Sequence, residues 1–413
     1  MSAVTSTSPP HAWSVLRHGP FARYMSGEFI SMLGTWMQQM ALGWVLTGLT
    51  SSAFMLGMVN FASGIPMLVL TMWGGVIADR FDKRIILIIS QVVQAFLAAA
   101  VGWLVATNQV TVAHLVIAGI GLGISTAFEM PAASALVPEL VPRAQLSAAI
   151  AVDRSVFHAT RLAGPAIGGW LIGTLGTASA FYANAFSFAA LIIALFTISP
   201  RPRGTAEEEE MRQTGMKEGL AFVRGDRPTR SMILLLMCGS ICISPFFMIM
   251  MPLYSRHILH LGADQHGLLM GSSGIGAFAG SVWLLSIPSH RRTAYLRCSV
   301  AVIFVCLGAL ALARNLSAAI ASMIALTVGT STMFGLANTI VQERAPDALR
   351  GRVSAIFGLS FFGVLPFSGL LMTKYADLVG LRSAMGSGAI GFGLAATALL
   401  YRSRASIPHF QKL

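Results

Sequence analysis

Long runs without a single Asp, Glu, Lys or Arg constrain this chain more than any other feature. Residues 29–78, 85–128 and 162–200 are free of charged side chains, in runs of 50, 44 and 39 residues. A helix that crosses the hydrocarbon of a bilayer needs about 20 apolar residues, so each run holds two spans or most of two. Turn-formers sit near the middle of each: Thr50-Ser51-Ser52, Thr107-Asn108 and residues 173–176. Five shorter runs begin near Ser231, Gln265, Asn315, Val353 and Ser383, and a sixth covers residues 298–313. With a fifth span starting near Ser147, the total is twelve. The expected fold is therefore an all-α polytopic membrane protein. Soluble helices need polar outer faces; here 11% of residues are charged and 55% hydrophobic, against roughly 25% charged in soluble proteins.

The few charges report sidedness. Twenty-two of the 28 Lys and Arg residues fall on the side of the N-terminus, the even-to-odd loops, the central loop and the C-terminus. Only Arg256, Arg314, Lys374 and Arg382 fall on the other, while Arg154 and Arg161 lie inside the fifth span. Because basic loops stay inside, both termini are expected in the cytoplasm, with the chain in the cytoplasmic (inner) membrane. Residues 1–21 lack an apolar stretch, so no cleaved signal peptide is expected. The net charge of +12 thus reflects orientation and gives no reason to expect nucleic acid. Cys238, Cys242, Cys298 and Cys306 lie in apolar spans and read as small core residues. His257, His260 and His266 read as a solvated outer loop, and no metal or other cofactor is expected.

The longest hydrophilic stretch divides the spans six and six. The expected organisation is a tail over 1–21, a six-helix bundle over 22–200, a central loop over 201–230, a second bundle over 231–402 and a tail over 403–413. Glu207, Glu208, Glu209 and Glu210 read as a solvated linker, and residues 216–223 as an amphipathic piece lying along the membrane surface. Internal similarity points to duplication. Val137-Pro-Glu139-Leu-Val-Pro142 returns as Val341-Gln-Glu343-Arg-Ala-Pro346, and Ser63-Gly64-Ile65 as Ser273-Gly274-Ile275. Two pseudo-symmetric six-helix bundles follow.

Residues 74–84 read GGVIADRFDKR, which resembles the loop between the second and third spans of the major facilitator superfamily. Asp82 stands where many members have Gly, a variant associated with the branch of enterobactin exporters and macrolide efflux pumps. Leu33-Gly-Thr-Trp36-Met-Gln38-Gln39, Phe128-Glu129-Met-Pro-Ala132, Arg161-Leu-Ala-Gly164-Pro165 and Arg350-Gly-Arg-Val353 are similar to the same branch. The resemblance implies a monomeric secondary transporter for a small molecule. It also implies a gating loop that latches the outward-facing state through Gly75, Asp79, Arg80, Asp82, Lys83 and Arg84. After Ser289, the corresponding His290-Arg291-Arg292 lacks an Asp, so any latch there is weaker. Gly164, Pro165, Gly168 and Gly169 match the core of the antiporter signature. Simple close packing of helices explains those glycines equally well.

Five charges lie within spans: Glu28, Glu129, Asp153, Arg154 and Arg161. Each is costly in lipid and marks a pathway or a buried pair. Glu28 heads a polar stripe with Ser31, Thr35 and Gln39, beside Gln38, and has no cation in its own helix, which makes it the candidate proton carrier. Glu129 and Asp153 lie at a depth where they can pair with Arg154. Arg161, on one face of the fifth span with Arg154 and His158, either meets an anionic substrate group or holds the contact between the fourth and fifth spans. The expected function is proton-coupled export of an amphipathic molecule of drug or siderophore type; the alternative is a proton-coupled uptake symporter. An enzyme is not expected, since HExxH and GxxxxGK[ST] motifs are both missing from the sequence.

Overall fold

The structure, a computed structural model, describes residues 12–198, 216–346 and 349–404. The acidic run Glu207 to Glu210 and both outermost tails lie outside the described residues. After a short 3-10 turn, six long helices follow: α1 (Gly19–Leu49), α2 (Ala53–Arg80), α3 (Lys83–Ala106), α4 (Val112–Leu140), α5 (Leu146–Leu175) and α6 (Ala178–Phe196). Then come α7 (Met216–Gly225), α8 (Arg227–Cys242), α9 (Ser244–Met248), α10 (Met251–Leu253), α11 (Ala263–Leu285), α12 (Arg292–Leu312), α13 (Leu316–Arg344), α14 (Arg350–Phe362), α15 (Leu365–Val379) and α16 (Leu381–Arg404). Among the described residues there is no strand.

Nine of these segments are long and apolar enough to cross a bilayer, with α14 and α15 counting together. The other expected spans are helical but differ for visible reasons. α1 carries Glu28 and α5 carries Asp153, Arg154 and Arg161, which lowers their apolarity. The seventh is broken into α8, α9, α10 and a π-helical turn, Tyr254–Ile258. Pro245 and Pro252, which remove backbone donors, fall within those pieces.

Apolar side chains fill the interior and also cover the exterior, while some polar ones are fully buried. Leu285 and Phe186 are 86% and 77% exposed, whereas Gln91, Thr160 and Asn184 are at most 1% exposed. In hydrocarbon the polar groups must find partners inside the helix packing, and these do.

The chain forms two compact units, Met1–Ala41 with Ile65–Pro202, and Leu42–Gly64 with Arg203–Leu413. The end of α1 and the start of α2 therefore belong with the second unit. Inside each unit the same devices recur 204 residues apart. Thr111 caps the start of α4 and Asn315 that of α13, each accepting a backbone N–H bond. Gly176 ends α5 at φ +84° and Gly380 ends α15 at φ +86°, a conformation that favours glycine. Glu139 meets Lys83 at 2.7 Å in the first unit, and Glu343 meets Arg292 at 2.5 Å in the second. Each such bridge joins a helix end to the basic loop two helices earlier.

α7 packs on protein, against α14. Glu218 pairs with Arg352 of α14 at 2.5 Å, Gly219 lies against the stem of the same arginine, and Val223 is buried. A side chain at 219 would separate the two helices. Just beyond, Asp226 caps α8 by accepting from the Thr229 N–H, and Arg344 grips both of its oxygens at 2.8 and 2.6 Å. The Arg344 guanidinium, helped by Thr229, holds the Asp226 carboxyl at about 2. Because that is below the ordinary carboxylate value of about 3.9, its stabilisation is present above pH 4 and is lost as pH falls through 2. Asp226→Asn is therefore expected to lower the melting temperature at pH 7, with the gap to wild type closing between pH 4 and 2 in nanodisc melts.

Candidate functional site

Two polar clusters occupy the interior of the first unit. The first is built from α1, α3 and α4. Gln91 and Gln94, one turn apart on α3, each donate to one oxygen of Glu129 on α4, at 2.6 and 2.5 Å. Ser31 of α1 donates to Oε1 of Gln91 at 3.0 Å, and Gln94 reaches Ser125, which in turn donates to the Ser90 carbonyl. Glu129 is thus held by two neutral amides. A carboxylate so held can gain or lose a proton without breaking an ion pair. Glu129 and Asp153 each lie within electrostatic range of Glu28, and all three carboxylates within range of the buried Tyr24.

This placement differs in one respect from the sequence expectation. Arg154 lies in electrostatic range of Asp153, but the hydrogen-bond donors on Glu129 are the glutamines. Gln91 and Gln94 escaped notice because they lie in a charge-free run. Two amides spaced i, i+3 within an otherwise apolar helix were the signal that could have found them.

The second cluster is aromatic and basic. The Arg161 guanidinium lies 5.8 Å from the Trp36 ring centre, Trp36 meets Phe157 edge-on at 5.8 Å, and Phe157 meets His158 at 5.5 Å. Arg161 makes no ion pair among the described residues, and Nδ1 of His158 is buried with no hydrogen-bond partner there. The glycine motif of α5 sets this geometry. A Cβ on Gly164 would collide with Trp36, and one on Gly168 would sit 3.1 Å from Cα of Met37. Pro165 and Gly169 are buried on the same helix. Close approach of α5 to α1 thereby delivers Arg161 to Trp36. Gln38 lies apart from both clusters, accepting from Asn184 of α6 at 2.8 Å, and Gln39 is exposed. The polar stripe on α1 likewise divides, since Thr35 is exposed and its hydroxyl donates to the Ser31 carbonyl.

The loop after α2 resolves into separate duties. Asp82 caps α3, accepting from the Arg84 N–H at 2.8 Å, which explains an Asp at this position. Lys83 pairs with Glu139, and Arg84 donates to the Ile198 carbonyl beyond α6. Asp79 and Arg80 are exposed. Gly75 faces open space, whereas a Cβ on Gly74 would strike the Ala127 carbonyl. Gly164→Leu is accordingly expected to abolish a cooperative melt, since overpacking costs about 1–3 kcal/mol even for modest additions. Gly75→Ala should melt like wild type.

In the second unit, Asp377 near the end of α15 caps α2. Its carboxylate accepts from Ser52 Oγ at 2.5 Å, the Ala53 N–H at 2.7 Å and the Phe54 N–H at 3.1 Å. Lys374 stands over Phe54 at 5.4 Å, and a Cβ on Gly57 or Gly64 would strike Thr373 or Pro366. Arg256 stacks on Trp44 at 5.0 Å, and His257 donates to the Thr47 carbonyl at 3.2 Å. His266 is fully buried, stacked on Trp44 and bonded to Ser255 at 2.8 Å. The expected solvated histidine loop is thus in part packed, because residues 42–64 lie against it. The four cysteines are unpaired.

The family model described as transmembrane secretion effector matches residues 10–412. The staphyloferrin A transporter of Staphylococcus aureus is 24% identical over 87% of this chain and 90% of its own length. The multidrug efflux pump Tap of Mycolicibacterium fortuitum is 23% identical over 89% and 91%. For macrolide efflux protein A of Streptococcus pyogenes the values are 23%, 87% and 90%. Among solved structures, a D-xylose-proton symporter superposes with a TM-score of 0.71 at 15% identity, covering 97% of this chain and 98% of that one. A bacterial homologue of the lysosomal transporter Spinster, inward-facing, gives 0.70 at 15% identity over 96% and 98%. Those two likenesses establish the fold alone. A multi-pass helical chain with this family match across its length belongs to the transmembrane secretion effectors of the major facilitator superfamily, which are small-molecule transporters.

Proposed function

We propose that this protein is a proton-driven exporter of amphipathic small molecules. It works as a monomer with twelve spans in the cytoplasmic membrane, both termini in the cytoplasm and no cofactor. The halves over 22–200 and 231–402, joined by the loop over 201–230, alternate in exposing the site. The observation that carries the reading is Glu129, a carboxylate held by neutral amides inside a span, with Glu28 in electrostatic range of it. The Arg161–Trp36 pair nearby offers a cation and an aromatic face, matching a substrate with an anionic or polar group and an apolar body. Relatives named for siderophore transport and for drug and macrolide efflux support export. The basic side of the chain supports the orientation.

In this reading Glu28 and Glu129 accept protons from outside and release them to the cytoplasm as substrate leaves in exchange. Gly75, Asp79 and Arg80 serve the latch of the outward-facing state, while Asp82, Lys83 and Arg84 hold the loop that carries them. Inverted membrane vesicles given radiolabelled macrolide, and separately staphyloferrin A, test the direction. Accumulation under an inside-acid gradient is expected for at least one of them. Accumulation of either only under the opposite gradient would favour uptake.

A further inference from the structure

A groove of about 530 Å³ runs between α12 and α16 in the second unit. Arg297, Phe304, Ile390, Leu394, Thr397 and Tyr401 are among the residues that line it. Arg297 and Phe304 are two helical turns apart on α12, and residues 390, 394, 397 and 401 form one face of α16. Two such stripes make a trough along the helices. Its floor is open because α16 has glycine at 393, where a Cβ would sit 2.9 Å from the Phe304 ring.

The trough has a polarity gradient. Arg297 lies near the start of α12, just beyond Arg291 and Arg292, and Tyr401 lies near the end of α16, so both occupy the basic side of the membrane. Thr397 is one turn deeper. Beyond that the lining is Phe304, Ile390 and Leu394, with Ile390 56% and Leu394 70% exposed. The eleven helical steps from residue 390 to residue 401 span about 16 Å, close to the roughly 15 Å hydrocarbon depth of one leaflet. A cation one leaflet away from the apolar end of a groove is complementary to a phospholipid with a negative headgroup. Basic pockets between spans on the inner side attract such lipids.

We infer that the α12–α16 groove is a binding site for an anionic phospholipid of the basic-side leaflet. Its phosphate sits against Arg297, with Thr397 and Tyr401 as hydroxyl partners, and an acyl chain lies over Gly393 and Phe304. The site is independent of transport direction and of the polar clusters in the first unit.

Native mass spectrometry of the full-length protein, released from nanodiscs with equal phosphatidylglycerol and phosphatidylcholine of identical chains, tests this. Wild type is expected to retain a phosphatidylglycerol adduct several-fold over phosphatidylcholine. Arg297→Gln should lose that preference. Ala301→Trp, which fills the trough from an exposed position and leaves the arginine in place, should lose the retained lipid altogether. Equal retention of the two lipids by wild type would overturn the proposal. So would an unchanged adduct in the Ala301→Trp protein, whose fold is checked independently by its melt.

Discussion

Glu129→Gln is expected to reduce gradient-driven efflux to the rate seen without a gradient, while substrate binding and folding persist. The glutamine is nearly isosteric and its one carbonyl oxygen still accepts from one of the two α3 amides, so one of the two bonds is lost while those from Ser31 to Gln91 and from Gln94 to Ser125 remain. What disappears is the exchangeable proton. Glu28→Gln removes a second carboxylate from the same field and is expected to impair coupling as well. Transport into inverted vesicles, read beside equilibrium binding of the same labelled substrate, separates the two effects. Full gradient-driven transport in Glu129→Gln would remove this residue from the mechanism.

The second large effect is expected at Asp377. Its carboxylate satisfies three donors at the start of α2, where a negative charge also complements the helix dipole. Hydrogen bonds to a charged group contribute about 1.5–3 kcal/mol, so Asp377→Ala should shift the balance of states by roughly 10- to 100-fold. The shift runs away from the state in which residues 42–64 pack on α15. Phe61, edge-on to Phe367 at 5.7 Å, provides a reporter. With Cys238, Cys242, Cys298 and Cys306 replaced by serine, Phe61→Cys should react faster with an impermeant thiol reagent when Asp377 is alanine. Equal labelling with and without the aspartate would show that the cap does not hold this end shut.

Much of this architecture was legible because lipid imposes so few solutions. Charge-free runs demanded paired spans, and the 204-residue offset of the Val137 and Val341 segments became paired helix caps, paired left-handed glycines and paired ion bridges. The interior was less legible. A charge inside a span announces itself, but the partner that decides its chemistry need not be charged. Glu129 looked ready for Arg154, yet the helix packing presents Gln91 and Gln94. Nothing in the chain order hinted that Asp377 would cap a helix more than 320 residues earlier. Asp82 shows the reverse case, a departure from a family pattern that local chemistry explains through the N-cap it makes. The glycines of α5 have a packing role that is plain in the structure, and through Trp36 that packing fixes the place of Arg161.

Reciprocity gives the most direct test of the central claim. If protons and substrate exchange through the first unit, a substrate gradient must move protons just as a proton gradient moves substrate. Proteoliposomes loaded with substrate, with a pH-sensitive dye trapped inside and no initial pH gradient, report this. Substrate leaving the lumen is expected to draw protons in and acidify it, and the signal is expected to vanish in Glu129→Gln. Substrate efflux from wild type with no change in lumenal pH, or with alkalinisation, would contradict it.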